Sequence, residues 1–134
     1  MKVGFAGFAH SHSISMYNYV NSSEELELGG VFESDPQIKE QLKERGIEVT
    51  HESLEALLSE KDIDIIAVGP YFAERGKTII ASLKAGKHVL CEKPMSLTFD
   101  DCEKMLAVSK ETGKRLMIAQ CSRFGKDMQI MKDI

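Results

Sequence analysis

The chain has 134 residues, enough for one domain with a single core and too few for two of ordinary size. With 43% hydrophobic and 28% charged residues it has a globular composition, and a net charge of −4 without any basic run argues against a nucleic-acid surface. No apolar run reaches the roughly 20 residues of a membrane helix, and Met1-Lys2 leads into strand-like residues rather than a signal peptide, so the expectation is a cytoplasmic protein with no membrane partner.

Lys2 to Gly7 reads as a first strand, apolar on both faces as a central parallel strand should be. Phe8-Ala9-His10-Ser11-His12 turns into a first helix over about Ser13 to Val20. Leu26 to Phe32 is a second strand, weakened at Gly29-Gly30. Asp35-Pro36 starts a second helix, with Asp35 at N-cap and Pro36 at N1, and Gly46 ends it. Ile47 to Thr50 is expected to be a short third strand, and Ser53 caps a helix carrying Leu54, Leu57 and Leu58.

Asp64 to Val68 is a β-branched fourth strand that Gly69-Pro70 stops. A helix from about Ala73 to Ala85 shows Ile79, Ile80 and Leu83 on one side. Val89-Leu90-Cys91 follows the Gly86 turn as a fifth strand, with Glu92-Lys93-Pro94 as an abrupt polar stop. Thr98 and Asp101 form a capping-box-like pair, with aspartate in place of the usual glutamate, and open a helix that shows Cys102, Met105 and Leu106 on one side. Arg115 to Ala119 is a sixth strand, Gln120 to Gly125 a loop, and Lys126 to Ile134 the start of another helix. Strands alternating with helices, joined by connections too long for hairpins, predict an α/β, doubly wound, mostly parallel sheet of six strands in the order 3-2-1-4-5-6, with helices on both faces.

In such a sheet ligands sit outside the carboxyl ends of the strands, and a phosphate sits at the first β-α turn. A G-x-G-x-x-G fingerprint would begin at Gly7, but Ala9 holds its second glycine position and His12 its third. An ordinary tight turn explains that motif about as well as a dinucleotide does. Glu33, with Ser34 beside it, closes the second strand where an acid can hold a ribose and repel a 2′-phosphate, which favours NAD over NADP. Enzymes that use S-adenosylmethionine also place an acid there.

His10 and His12 form an H-x-H pair, yet no third ligand lies near them in sequence, and His10 can serve simply as a polar residue starting a helix; no metal is expected. Cys91, Cys102 and Cys121 are widely spaced without C-x-x-C, so neither disulfides nor zinc are expected. His88 reads as a satisfied core histidine, and Met105, Met117, Met128 and Met131 as core or interface filler. Lys93, at the mouth of the cleft after the fifth strand, can give or take a proton at a substrate hydroxyl or carbonyl. A surface salt bridge with Glu92 is the competing explanation. Arg123 is a cationic neighbour that would favour the neutral amine.

Ala85-Gly86-Lys87-His88-Val89-Leu90-Cys91-Glu92-Lys93-Pro94 resembles the signature of the glucose–fructose oxidoreductase / inositol dehydrogenase (Gfo/Idh/MocA) family. Asp62 to Val68 is similar to the strand preceding it, and Arg123-Phe124 to the motif after the sixth strand. The resemblance implies an N-terminal Rossmann domain over residues 1–124, with 125–134 beginning a connecting helix to a C-terminal substrate domain. It implies NAD(P)-dependent oxidation of a hydroxyl on a sugar, cyclitol or related small molecule. By the same resemblance Gly7, Phe8, Ala9, His10 and Ser11 hold the pyrophosphate and Glu33 the adenosine ribose. Gly69, Pro70 and Tyr71 line the path to the nicotinamide, and Lys93, next to a cis Lys93-Pro94 bond, is the active-site lysine.

The chain departs from the pattern in its glycine turn and in Gly69-Pro70-Tyr71, where relatives often show Thr-Pro-Asn and then a histidine, near whose place Arg75 stands. The 134 residues alone are expected to turn over little, because they do not enclose a substrate. The rival readings are a stand-alone module that senses NAD(P) without chemistry, self-associating through surface meant for a further domain, and a methyltransferase. The methyltransferase gives no reason for Glu-Lys-Pro. A receiver domain would need an acidic cluster after the first strand, where Phe8-Ala9-His10 stands.

Overall fold

The computed structural model describes residues 1–120, 122, 125 and 131. Its elements, in chain order, are β1 (Lys2–Ala6), α1 (Ser11–Ser22), β2 (Glu27–Phe32), α2 (Pro36–Glu44), α3 (Leu54–Ser59), β3 (Ile65–Val68), α4 (Phe72–Lys84), β4 (His88–Glu92), α5 (Phe99–Thr112) and β5 (Leu116–Ala119). All strand pairs are parallel, in the order β2-β1-β3-β4-β5. The sheet separates two apolar clusters. One gathers Phe5, Tyr17, Val20, Val31, Ile38 and Leu42 under α1 and α2. The other gathers Leu57, Ile66, Ile79, Leu83, Cys91 and Met105 under α3, α4 and α5. Helices therefore cover both faces, as a doubly wound sheet requires. None of the described helices is long and apolar enough to cross a membrane.

Among the described residues the count of six strands is corrected to five. Residues 47–50 do not form a strand; what remains of the expected edge is a single parallel bridge between Phe32 and His51. The reason is local. The Thr50 hydroxyl takes the Val31 N–H at 2.9 Å, and the Thr50 and His51 N–H groups both converge on the Val31 carbonyl at 3.0 Å. Pairing is concentrated on one residue and no ladder extends from it. Ile47 is still buried against the first cluster, so the segment lies where a third strand would, and the order of the other strands is as expected.

The helix ends follow from their capping residues. Asp35 Oδ1 accepts the Gln37 and Ile38 N–H groups with Pro36 at N1, and Ser53 Oγ accepts the Ala56 N–H. Thr98 Oγ1 accepts the Asp101 N–H at 3.2 Å, but the Asp101 carboxylate returns to the Thr98 hydroxyl at 2.8 Å rather than to its backbone, since aspartate is one methylene shorter than the usual glutamate. Gly86, at φ +78°, closes α4, and the Lys87 N–H reaches back to the Ser82 carbonyl.

One expectation about an apolar face needs adjustment. Ile79 and Leu83 are fully buried, as the spacing predicts, whereas Leu106 is 52% exposed, because α5 lies over the end of the sheet and turns only Cys102, Met105 and Val108 inward. His88 is satisfied within the fold, its Nδ1 accepting the Arg115 N–H at 3.0 Å. Arg123, Phe124 and most of the expected connecting segment 125–134 lie outside the described residues.

Candidate functional site

The chain leaves β1 toward β2 on one side and toward β3 on the other, so the sheet's switch point lies between β1 and β3. In open α/β sheets that is where a ligand crevice forms. A cleft of about 450 Å³ opens there, lined by Gly7, Ala9, Glu33, Ser34, Asp35, Pro70 and Tyr71 among others. The segments after β1, β2, β3 and β4 all start from this edge, which brings together the sequence-predicted site residues that the structure describes.

The turn after β1 is built by close backbone approach. Gly7 has φ +90° and donates its N–H to the Phe32 carbonyl at 2.9 Å, and a Cβ on it would lie 2.5 Å from Pro70 N. Gly69 donates to the Ala6 carbonyl and accepts from the Ala9 N–H, and a Cβ there would collide with Ser13 Oγ. The glycine that the turn lacks at position 9 is thus compensated across the crevice by Gly69. His10 is the N-cap of α1, its Nδ1 accepting the His12 N–H at 3.2 Å. Among the described residues the His10 and Ser11 N–H groups meet no protein acceptor, and Ser13 Oγ is buried without a hydrogen-bond partner. Free N–H groups at a helix start beside a glycine turn are a fitting cradle for a pyrophosphate.

Glu33 sits at the end of β2 but turns inward, only 3% exposed. Its Oε2 accepts the Phe8 N–H at 2.7 Å, and its Oε1 accepts the Ser34 and Asp35 N–H groups at 2.7 and 2.9 Å. An ionised carboxylate has about four acceptor positions, so roughly one remains for a ligand hydroxyl. This brace between β2 and the first turn is not readable from spacing alone.

Glu92 is 1% exposed. Its Oε1 accepts the Lys93 N–H at 2.9 Å and lies 3.2 Å from His12 Nδ1. The competing surface salt bridge of Glu92 with Lys93 is not formed. Among the described residues the Lys93 ammonium has no ion-pair partner, and the side chain is half-buried just past the carboxyl end of β4. The Lys93-Pro94 bond is cis.

His10, His12 and Glu92 bring one ligand atom each within 4.8 Å of one another, a carboxylate joining the histidine pair that sequence spacing did not reveal. The start of α1 carries the positive end of the helix dipole, which opposes a cation and favours an anion.

Arg75 is the residue that sequence reasoning undervalued. It is 1% exposed, with Nε donating to the Pro70 carbonyl and Nη1 to the carbonyls of Glu92, Lys93 and Pro94. Burial pushes its guanidinium below the usual arginine value, against the opposing pull of Cys91 and Glu92. Its signal was present in the sequence. Arg75 shares a helix face with Ile79 and Leu83, and a charge in an apolar stripe needs buried partners.

Comparison with known proteins agrees with this architecture. The model of an oxidoreductase family with an NAD-binding Rossmann fold matches residues 1–120. A 1-carboxy-3-chloro-3,4-dihydroxycyclohexa-1,5-diene dehydrogenase of Comamonas testosteroni is 25% identical over 135 residues, covering 100% of this chain and 34% of that protein. A 1,5-anhydro-D-fructose reductase of Ensifer adhaerens is 36% identical over 70 residues, covering 52% of this chain and 21% of its own length. The crystal structure of an NAD-binding protein from Listeria innocua superposes with a TM-score of 0.83 at 27% identity, covering 98% of this chain and 39% of that one. The chain thus spans about a third of the length of the first of these relatives.

Proposed function

The chain belongs to this oxidoreductase family, Gfo/Idh/MocA, with its NAD-binding Rossmann fold, and on that premise we propose that it holds the cofactor and the proton-transfer lysine of a dehydrogenase acting on a hydroxyl of a sugar, cyclitol or related small molecule. The observation that carries this reading is the cradle at the switch point, where Gly7 and Gly69 meet and the His10 and Ser11 N–H groups are free. These N–H groups and the α1 dipole bind the pyrophosphate, and the backbone around Gly69, Pro70 and Tyr71 guides the nicotinamide toward Lys93. When bound, the nicotinamide supplies the hydride acceptor. Lys93 takes the proton of the substrate hydroxyl as the carbon is oxidised and returns it in the reverse direction. No metal takes part in this reading.

The preferred dinucleotide is NAD. The cleft is lined by Glu33, Asp35, Glu52, Glu55 and Glu74 against Lys39, a carboxylate surplus that repels a 2′-phosphate. The names of the relatives support the substrate class: one acts on a dihydroxycyclohexadiene and another is an anhydrofructose reductase. Titration of the chain with NADH and with NADPH in a calorimeter tests the reading. Binding of NADH with weaker binding of NADPH is expected, and heat from neither would leave a module without dinucleotide function.

A further inference from the structure

Arg75 is the bulkiest of the fully buried side chains, and a buried guanidinium ordinarily rests on a carboxylate. Here, among the described residues, its partners are main-chain oxygens. Nη1 lies 3.1 Å from the Glu92 carbonyl, 2.8 Å from that of Lys93 and 3.0 Å from that of Pro94, while Nε reaches the Pro70 carbonyl at 3.1 Å. The Phe72 ring covers the guanidinium, with the central carbon 4.5 Å from its centroid. Three successive carbonyls point at one nitrogen because the backbone after β4 curls around it.

The fork shape matters. One edge of the group holds the segment after β3 and the other holds the segment after β4, two loops at the carboxyl ends of neighbouring strands. Fastening α4 to the sheet does not require this residue, since Ile79 and Leu83, one and two turns further on, are already fully buried. An apolar side chain at position 75 would pack the helix equally well but take this donor from the carbonyls of Pro70, Lys93 and Pro94 and leave that of Glu92 only the Cys91 thiol.

We propose that Arg75 is the positioning residue of this site: by gripping the carbonyls of residues 92–94 and of Pro70 it fixes the backbone from which the Lys93 amine projects, relative to the loop that guides the nicotinamide. The proposal deepens the dehydrogenase reading, because it takes Lys93 as the group that moves the proton. It separates two jobs within one turn. Lys93 meets the ligand, and Arg75, buried beneath it, sets where that meeting occurs.

The test compares the wild-type chain with Arg75→Lys, which keeps the charge and loses the fork, and Arg75→Gln, which loses the charge. Amide hydrogen exchange at Lys93, whose N–H is held by Glu92 Oε1, is expected to quicken by about tenfold or more in both variants, while the β3 amides of Ile65 to Val68 change by less than about threefold. Lys93 acetylation by acetic anhydride, mapped by mass spectrometry, gives the second reading. Saturating NADH should slow it several-fold in the wild type, and Arg75→Lys should lose that protection while still binding NADH. Exchange at Lys93 that stays unchanged, or that rises equally across the sheet, would overturn the proposal, as would protection retained in Arg75→Lys. Phe72→Ala removes only the ring over the guanidinium and serves if the Arg75 variants do not fold; there the same amide should quicken, and no change would count against the proposal. If the wild type binds no NADH, the dinucleotide reading fails, and the exchange measurement alone decides the role of Arg75.

Discussion

Glu33 Oε2 accepts the Phe8 N–H at 2.7 Å, so the acid that closes β2 also holds the turn that closes β1. This single contact replaces much of what a full glycine fingerprint does. In a glycine-rich turn the backbone can approach the strand and the ligand without help, whereas here Phe8, Ala9 and His12 occupy that space and a buried carboxylate fixes the turn from the side.

Replacing Glu33 therefore tests two properties at once. Glu33→Ala leaves three N–H groups without an acceptor and is expected to cost about 2–4 kcal/mol of stability. Glu33→Gln keeps one acceptor oxygen and should cost about half as much, while removing a charge from the cleft at the end of β2. Its ratio of NAD to NADP affinity should fall by about tenfold, read by calorimetry with both dinucleotides. An unchanged ratio would remove Glu33 from dinucleotide selection and leave it only a brace.

The approach of Gly69 to Ser13 makes a paired prediction. Gly69→Ala forces a methyl group onto Ser13 Oγ and to 2.8 Å from the Gly7 carbonyl, and overpacking of this kind costs about 1–3 kcal/mol. Ser13→Ala alone should be neutral or stabilising by up to about 1 kcal/mol, because its buried hydroxyl has no partner to lose. In the double variant Ser13→Ala should recover part of the Gly69→Ala loss and not all of it, since the Gly7 carbonyl still blocks the methyl. Additive effects in urea unfolding would mean that the two residues do not meet.

Much of this was legible in the chain itself. The alternation of strands and helices, the caps at Asp35 and Ser53, and the placing of residues 7–11, 33, 69–71 and 92–93 at one edge all follow from periodicity and turn chemistry. The third strand did not follow, because Ile47 to Thr50 has strand composition and the deciding contact, Thr50 with Val31, is a side chain displacing a ladder bond. Leu106 misled for a similar reason: its spacing from Cys102 fits a buried face, but burial depends on how much sheet lies beneath α5. The partners of Glu33, Glu92 and Arg75 come from segments between 1 and 80 positions away, and no periodicity encodes which oxygen meets which nitrogen.

Cys91 gives the pH dependence a definite direction. Burial pushes its thiol up to about 11, with the Glu92 charge acting in the same sense and Arg75 against it. The folded chain then holds a proton that the unfolded chain releases from about pH 8.5 to 9 upward. Stability from this group is fully present below about pH 9 and is lost as pH rises toward 11, by roughly 2–3 kcal/mol in all. Cys91→Ala should flatten that part of the stability profile measured by urea unfolding. A wild-type profile already flat from pH 8.5 to 11 would contradict it.

A nicotinamide dinucleotide is proposed to occupy the cleft between the β1 and β3 turns. Because the chain contains no Trp, energy transfer from tryptophan cannot report NADH, and calorimetry is the direct measurement. Saturable heat on adding NADH, weaker binding of NADPH, and displacement of NADH by NAD are the expected results. Absence of heat with either reduced dinucleotide, from a chain shown by amide exchange to be folded, would contradict that proposal.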